Sequence, residues 1–172
     1  MKRQILQAPN KILRKISAEV PLQMIPEEKI KKIIFNMSSA LLATTHGVAL
    51  AAPQIGESVR IFIVDLNERT GEKNSPKKPF LVFINPEILR LSKKKSSLSE
   101  GCLSVEDRYG MVKRSDKIVV EAYDADGKKF KRGASGLLSQ IIQHEVDHLN
   151  GILFTDKARN LVYIPPEENK DE

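Results

Sequence analysis

The sequence predicts a single α+β domain, with antiparallel or mixed β-sheets around a central helix and an amphipathic helix towards the N-terminus. Three observations lead there. From Pro26, apolar residues repeat at helical spacing; from Val59 to Arg132 short β-rich runs alternate with turn residues; and a second helical stretch after Ser135 carries His-Glu-x-x-His. At 172 residues the chain fits one domain with one sizeable core. We assign residues 1–164 to that domain and read residues 165–172 as an acidic tail without fixed structure.

Each element has a local cause. Asn10 follows Pro9 and is placed to cap a helical turn over Lys11 to Arg14. Pro26 opens the first helix, with Glu27 and Glu28 in the turn where the helix dipole favours acids. Ile30, Ile33, Ile34, Met37, Leu41 and Leu42 give it a buried face, and Thr44 to Gly47 end it. His46, beside that glycine, reads as a loop residue. Val48 to Gly56 is a run of small residues broken by Pro53, which lets another backbone come close. Val59–Asp65, Phe80–Asn85 and Pro86–Leu91 read as strands. The polar segment from Asn67 to Pro79 reads as an exposed hairpin loop, and Lys93 to Ser97 as an exposed connection. Val112 to Tyr123 alternates as one strand, and Ala125 to Lys128 turns the chain into a short strand ending near Arg132. Ser135 is placed to cap the second helix. Ile152 to Phe154 then returns to the core, and Pro165-Pro166 ends regular structure.

Composition narrows the class. Hydrophobic residues at 41% and charged residues at 29% suit a soluble globular protein. No apolar run is long enough for a membrane span, the first 25 residues lack a signal-peptide core, and a single cysteine excludes an internal disulfide. A cytoplasmic protein is expected, with no membrane partner. The net charge of +6 lies in short clusters, Lys31-Lys32, Lys77-Lys78, Lys93 to Lys95 and Lys128 to Arg132. A solvated surface accounts for them. Weak attraction to RNA or a ribosome is the other reading, although no aromatic RNA-binding motif accompanies the charge and DNA binding is not expected.

The chemistry centres on Gln143-His144-Glu145-Val146-Asp147-His148. Four residues apart on a helix, His144 and His148 share one face and can hold one metal ion. Glu145 lies one position round, where it can act on water at that metal without ligating it. The other reading is an amphipathic helix with two incidental histidines, yet two of the chain's three histidines fall here. Glu100-Gly101-Cys102-Leu103-Ser104 holds the only cysteine, which by itself reads as a small buried hydrophobe. Which residue supplies a third ligand stays open on this reasoning.

Taken together and in order, Gly47-Val48-Ala49-Leu50-Ala51-Ala52-Pro53-Gln54, Glu100-Gly101-Cys102-Leu103-Ser104 and Gln143-His144-Glu145-Val146-Asp147-His148 resemble the three motifs of the peptide deformylases. The resemblance runs from about Pro9 to Asp156. Ala49 stands where the family has a second glycine, Glu106 where a proline is common, and Gln140 where an aliphatic residue is frequent.

The resemblance implies a metal-dependent hydrolase that removes the formyl group from N-formylmethionyl nascent chains and releases formate. It implies Cys102, His144 and His148 as metal ligands, with Fe2+ the usual ion and Zn2+, Ni2+ or Co2+ able to occupy the site. Glu145 would be the general base, and the Gln54 side chain and Leu103 N–H would stabilise the oxyanion. Gly47, Val48, Ala49, Leu98, Glu100, Gly101 and Leu137 would contact the substrate. A peptidase cutting internal bonds and a zinc-stabilised binding module are the competing classes. The first normally takes its third ligand from beyond the helix, where no histidine follows His148, and the second needs a fourth protein ligand.

Overall fold

The computed structural model describes residues 4–65 and 80–165, so the expected loop at 67–79 and the tail from 166 lie outside the described residues. Helix α1 spans Glu28–Leu42 and buries Ile30, Ile33, Met37, Ala40 and Leu41. Leu42, expected on that face, is 68% exposed, because it lies one residue, about 100°, round the helix from Leu41. Helix α2 spans Gly136–Leu149.

Between and after the helices run two antiparallel sheets. One contains β1 (Ala49–Ala51), β2 (Ile61–Asp65), β3 (Phe80–Leu91), β6 (Lys117–Tyr123) and β7 (Lys129–Ser135), in that order across the sheet. The other contains β4 (Lys95–Cys102), β5 (Val105–Ser115) and β8 (Arg159–Tyr163). Alternation along β2 explains how the larger sheet is covered. Ile61 and Ile63 pack with Leu50 against Ile33, Met37 and Leu41 of α1. Phe62 and Val64 point the other way, with Ala49, Ala51 and Phe83, onto Leu138, Ile142 and Leu149 of α2. A strand covered on both faces must be apolar throughout, and Ile61 to Val64 are completely buried. A third cluster, Leu13, Val105, Val112, Leu153 and Phe154, lies under the smaller sheet. Among the described residues no helix is long and apolar enough to cross a membrane.

Several boundaries differ from the sequence reading. The two runs meeting at Pro86 form one strand, β3, with a register shift between Ile84 and Glu87. Proline has no N–H for a ladder, and the irregularity lets the strand pass through it. There Asn85 adopts φ 50°, and its amide bonds both backbone groups of Val20 at 2.8 Å. The run from Val112 to Tyr123 is not one strand. It breaks at Asp116, which joins β5 of one sheet to β6 of the other, and its carboxylate accepts from the Ser96 hydroxyl at 2.6 Å. The connection expected at Lys93 to Ser97 shortens, because Lys95 already pairs with Ser115 in β4. Ser135 precedes α2 but makes no side-chain cap, whereas Asn10 accepts from the Ile12 N–H at 2.9 Å. Strand β8 was not expected at all.

After α2 the chain must turn sharply against the N-terminal segment. Gly151 takes φ +72°, and a Cβ there would lie 2.6 Å from the Arg14 carbonyl oxygen. Gly151→Ala is therefore predicted to cost about 2 kcal/mol or more, lowering Tm by roughly 5 °C in a thermal melt. An unchanged Tm would mean the junction is free to shift.

Candidate metal centre and active site

The site lies where α2 passes behind the ends of β1 and β4. Both are edge strands of their sheets, and between them opens a cavity of about 900 Å³. Gly47, Val48 and Ala49 line one side; Glu100, Gly101, Cys102 and Leu103 line the other. His144 and Glu145 also line it, and Leu137 stands at the first turn of α2.

Cys102 ends β4, where the pairing shifts from Gly101–Tyr109 to Cys102–Val105. The irregularity points the thiol at α2. Its Sγ is 3.2 Å from His148 Nε2, and the ligand atoms of Cys102, His144 and His148 all lie within 4.8 Å of one another. The rings of His144 and His148 meet edge-on, 4.9 Å between centroids.

Behind the histidines runs a chain of buried charges. Arg114 donates to both Glu100 oxygens, Nε to Oε1 at 2.7 Å and Nη2 to Oε2 at 2.8 Å. Its Nη1 reaches Asp147 at 2.6 Å, and Asp147 also accepts from Lys157 at 2.6 Å. Glu100 Oε2 lies 2.9 Å from His144 Nδ1. Burial opposes charge on Glu100, but the hydrogen bonds from Arg114 and His144 outweigh it and bring the carboxyl down to about 2. A carboxylate can only accept, so Nδ1 is the protonated nitrogen and Nε2 is left towards Cys102.

Electrostatics at the ligand atoms suit a cation. Burial disfavours charge on His144, yet the bonds to Cys102 and Glu100 and the charge of Glu145 push the imidazole up to about 10. At that value the ring carries both protons, so a cation at Nε2 would have to displace one of them. His148 is held well below its ordinary value by burial and by the charges of His144 and Arg114, which favours the neutral ring a metal needs. One thiol and two imidazoles converging on one point fit a divalent metal. Burial lifts Glu145 to about 7, reinforced by Glu100 and opposed by His144 and Arg114. Its Oε2 has no hydrogen-bond partner among the described residues.

Gln54 lies in a 3-10 turn, Ala52–Ile55, closed by Gly56 at φ 87°. Its Oε1 accepts from the Ala51 N–H at 2.8 Å, which aims Nε2 at Ser104 Oγ, 3.1 Å away, and at Cys102 Sγ, 3.6 Å away. At Gly47 a Cβ would lie 2.7 Å from the Leu41 side chain and 2.8 Å from that of Leu103, so a larger residue would make those side chains shift. Ala49 pairs with Val64 in extended β1 and is not among the positive-φ residues, so the methyl strains no backbone and instead occupies the cavity wall. Leu98 is half-buried on β4, outside the residues lining the cavity.

A sequence profile of the polypeptide deformylase family matches residues 2–162. The chain belongs to the polypeptide deformylase family. The peptide deformylase of Brucella suis is 37% identical over 153 residues, covering 89% of this chain and 82% of that protein. The Rhizobium meliloti peptide deformylase is 40% identical, covering 89% and 83%. Among solved structures, a class I type b peptide deformylase from Acinetobacter baumannii with Met-Ala-Ser bound superposes with a TM-score of 0.81 at 32% identity, covering 91% of this chain and 98% of that one. The Legionella pneumophila enzyme does so at 0.81 and 38%, covering 93% and 88%. This deformylase is a metal-dependent hydrolase that removes the N-formyl group from nascent peptides.

Sequence reasoning gave Arg114, Asp147, Lys157 and Gln143 no role. Gln143 clips α2 to β5, accepting from the Ser115 N–H at 3.0 Å and donating to its carbonyl at 2.9 Å. For Arg114 a signal existed: it shares strand parity with buried Gly110 and Val112, an inward position that an arginine occupies only with partners. Arg114→Met is predicted to destabilise the fold by about 3–5 kcal/mol, since Glu100 and Asp147 stay buried without it. Urea unfolding measures this; a loss below about 1 kcal/mol would show that the network is dispensable.

Proposed function

We propose that Cys102, His144 and His148 hold the metal and that Glu145, Gln54 and the Leu103 N–H act on the formyl group of an N-formylmethionyl peptide. The observation that carries this reading is the convergence of the three ligand atoms within 4.8 Å beside a buried carboxyl. Bound there, a divalent metal would supply Lewis acidity towards water and the formyl oxygen. Glu145, raised to about 7 by burial, can take a proton from the attacking water and hand it to the departing amine near neutral pH. Attack on the formyl carbon develops charge on the oxygen, and the Gln54 amide and Leu103 N–H donate to it.

The two facing edge strands support a peptide bound as an added strand, its backbone between Ala49 of β1 and Gly101 of β4. Gly47, Val48, Glu100 and Leu137 then surround the formyl group and methionine side chain, whereas Leu98, outside the cavity lining, is left without a substrate contact. The Acinetobacter relative binds the tripeptide Met-Ala-Ser, which supports a short peptide as the ligand class. Fe2+ is the proposed native ion; Zn2+, Ni2+ and Co2+ compete, and metal supply rather than donor chemistry decides among them. The proposed setting is the cytoplasm, where the Lys clusters give at most weak ribosome contact.

Formate release from formyl-Met-Ala-Ser by anaerobically purified protein, with acetyl-Met-Ala-Ser as control, tests the whole reading. Cleavage of both substrates alike would overturn it. Cys102→Ala is expected to lose most of its metal and nearly all turnover; metal analysis finding full occupancy would make Cys102 a packing residue. Glu145→Gln should keep the metal and lose turnover by about three orders of magnitude or more, because an amide cannot accept the proton. Turnover within tenfold of wild type would remove Glu145 as the base.

A further inference from the structure

Gln4, Ile5 and Gln7 line the cavity, and the arm bonds the backbone carbonyls of both residues assigned to the oxyanion. The Leu6 N–H donates to the Gln54 carbonyl at 2.8 Å, and the Ala8 N–H donates to the Ser104 carbonyl at 2.8 Å. Between them, Gln7 Nε2 donates to the Leu103 carbonyl at 2.8 Å. Gln54 and Leu103 come from different parts of the chain, a 3-10 turn beside the larger sheet and the hairpin turn of the smaller one. The described hydrogen bonds joining those turns directly are those of the Gln54 amide to Cys102 and Ser104. The N-terminal arm supplies the second tie.

We infer that the arm at residues 4–8 is a positioning element for the oxyanion site and that Gln7 is its positioning residue. The inference rests on the reading of Gln54 and the Leu103 N–H as oxyanion donors. Leu103 lies in a tight hairpin turn, and with its carbonyl held the residue cannot rotate freely about its backbone. Its N–H belongs to the adjoining peptide unit, so holding the carbonyl narrows the directions open to that N–H while charge develops on the substrate oxygen. Donors aimed in advance need no reorganisation in the transition state, and a small misalignment weakens them there more than in the ground state. Losing the Gln7 bond should therefore act on kcat and leave KM alone. Gln7 is only half-buried, so replacing it does not open the core.

The test compares Gln7→Met, which keeps length and loses the donor, with Gln7→His, which keeps an N–H donor, and Gln54→Ala. Each is assayed on formyl-Met-Ala-Ser after metal content and Tm are measured. The expected result is a kcat about tenfold lower for Gln7→Met with KM within about twofold, unchanged metal and Tm, and substantial recovery in Gln7→His. A wild-type kcat in Gln7→Met alongside a slow Gln54→Ala overturns this inference and leaves the oxyanion reading standing. A wild-type kcat in Gln54→Ala overturns that reading and this inference with it. A raised KM in Gln7→Met would make Gln7 a substrate contact, and a lowered Tm or metal content would make it a structural one; either overturns the positioning role.

Discussion

Arg114 is the group on which the rest of the site depends. Burying a guanidinium and two carboxylates is costly, and an apolar trio of the same volume commonly gives a fold as stable or more so. What such a trio cannot do is present an acceptor to His144. Glu100 does this only because Arg114 grips both its oxygens and holds it ionised. Through Asp147 the same arginine reaches back into α2 on the turn between the two histidines. Cysteine-bearing β4, β5 and histidine-bearing α2 are thereby joined at one buried point. Lys157 closes the chain from beyond α2 and neutralises the second carboxylate.

The second constraint is that two sheets end side by side. An edge strand leaves a row of backbone donors and acceptors unpaired, and most proteins cover it. Here β1 and β4 leave theirs facing one another across the cavity, which suits an extended peptide. Small residues maintain the gap: a side chain at Gly47 would press on Leu41 and Leu103, and Ala49 puts only a methyl on the wall. The pieces of the slot come from separate sheets, so its width depends on the packing of α2 beneath both. Gln143 and Ser139, each bonded to the Ser115 backbone, hold that packing on the β5 side.

Local patterns were legible in part: Leu42, expected on the buried face of α1, is exposed. Helical spacing of apolar residues located both helices, and the four-residue interval put His144 and His148 on one face. Where a pattern depended on partners, sequence reasoning failed. Strand β8 is exposed along its whole length and has no alternation, so it exists only by pairing with β5. The reading of Val112 to Tyr123 as one strand passed over the polar run from Lys113 to Lys117, within which Asp116 hands the chain from one sheet to the other. Ser135 looked like a cap, but a cap needs a particular side-chain direction and not only a residue type.

The sequence by itself determined which side chains capable of chemistry the chain carries and at what spacing, and, through the order of its three motifs, the family to which it belongs. Those properties reside in side-chain identity and in spacing along a single helix. The tertiary structure alone decided how the parts meet. Cys102 comes within 3.2 Å of a histidine 46 positions later in the chain, and Arg114 joins two carboxylates 47 residues apart, Glu100 and Asp147. Such contacts depend on strand register and on the turn that ends β4. Register is set by packing between segments distant in sequence, so no local pattern encodes it.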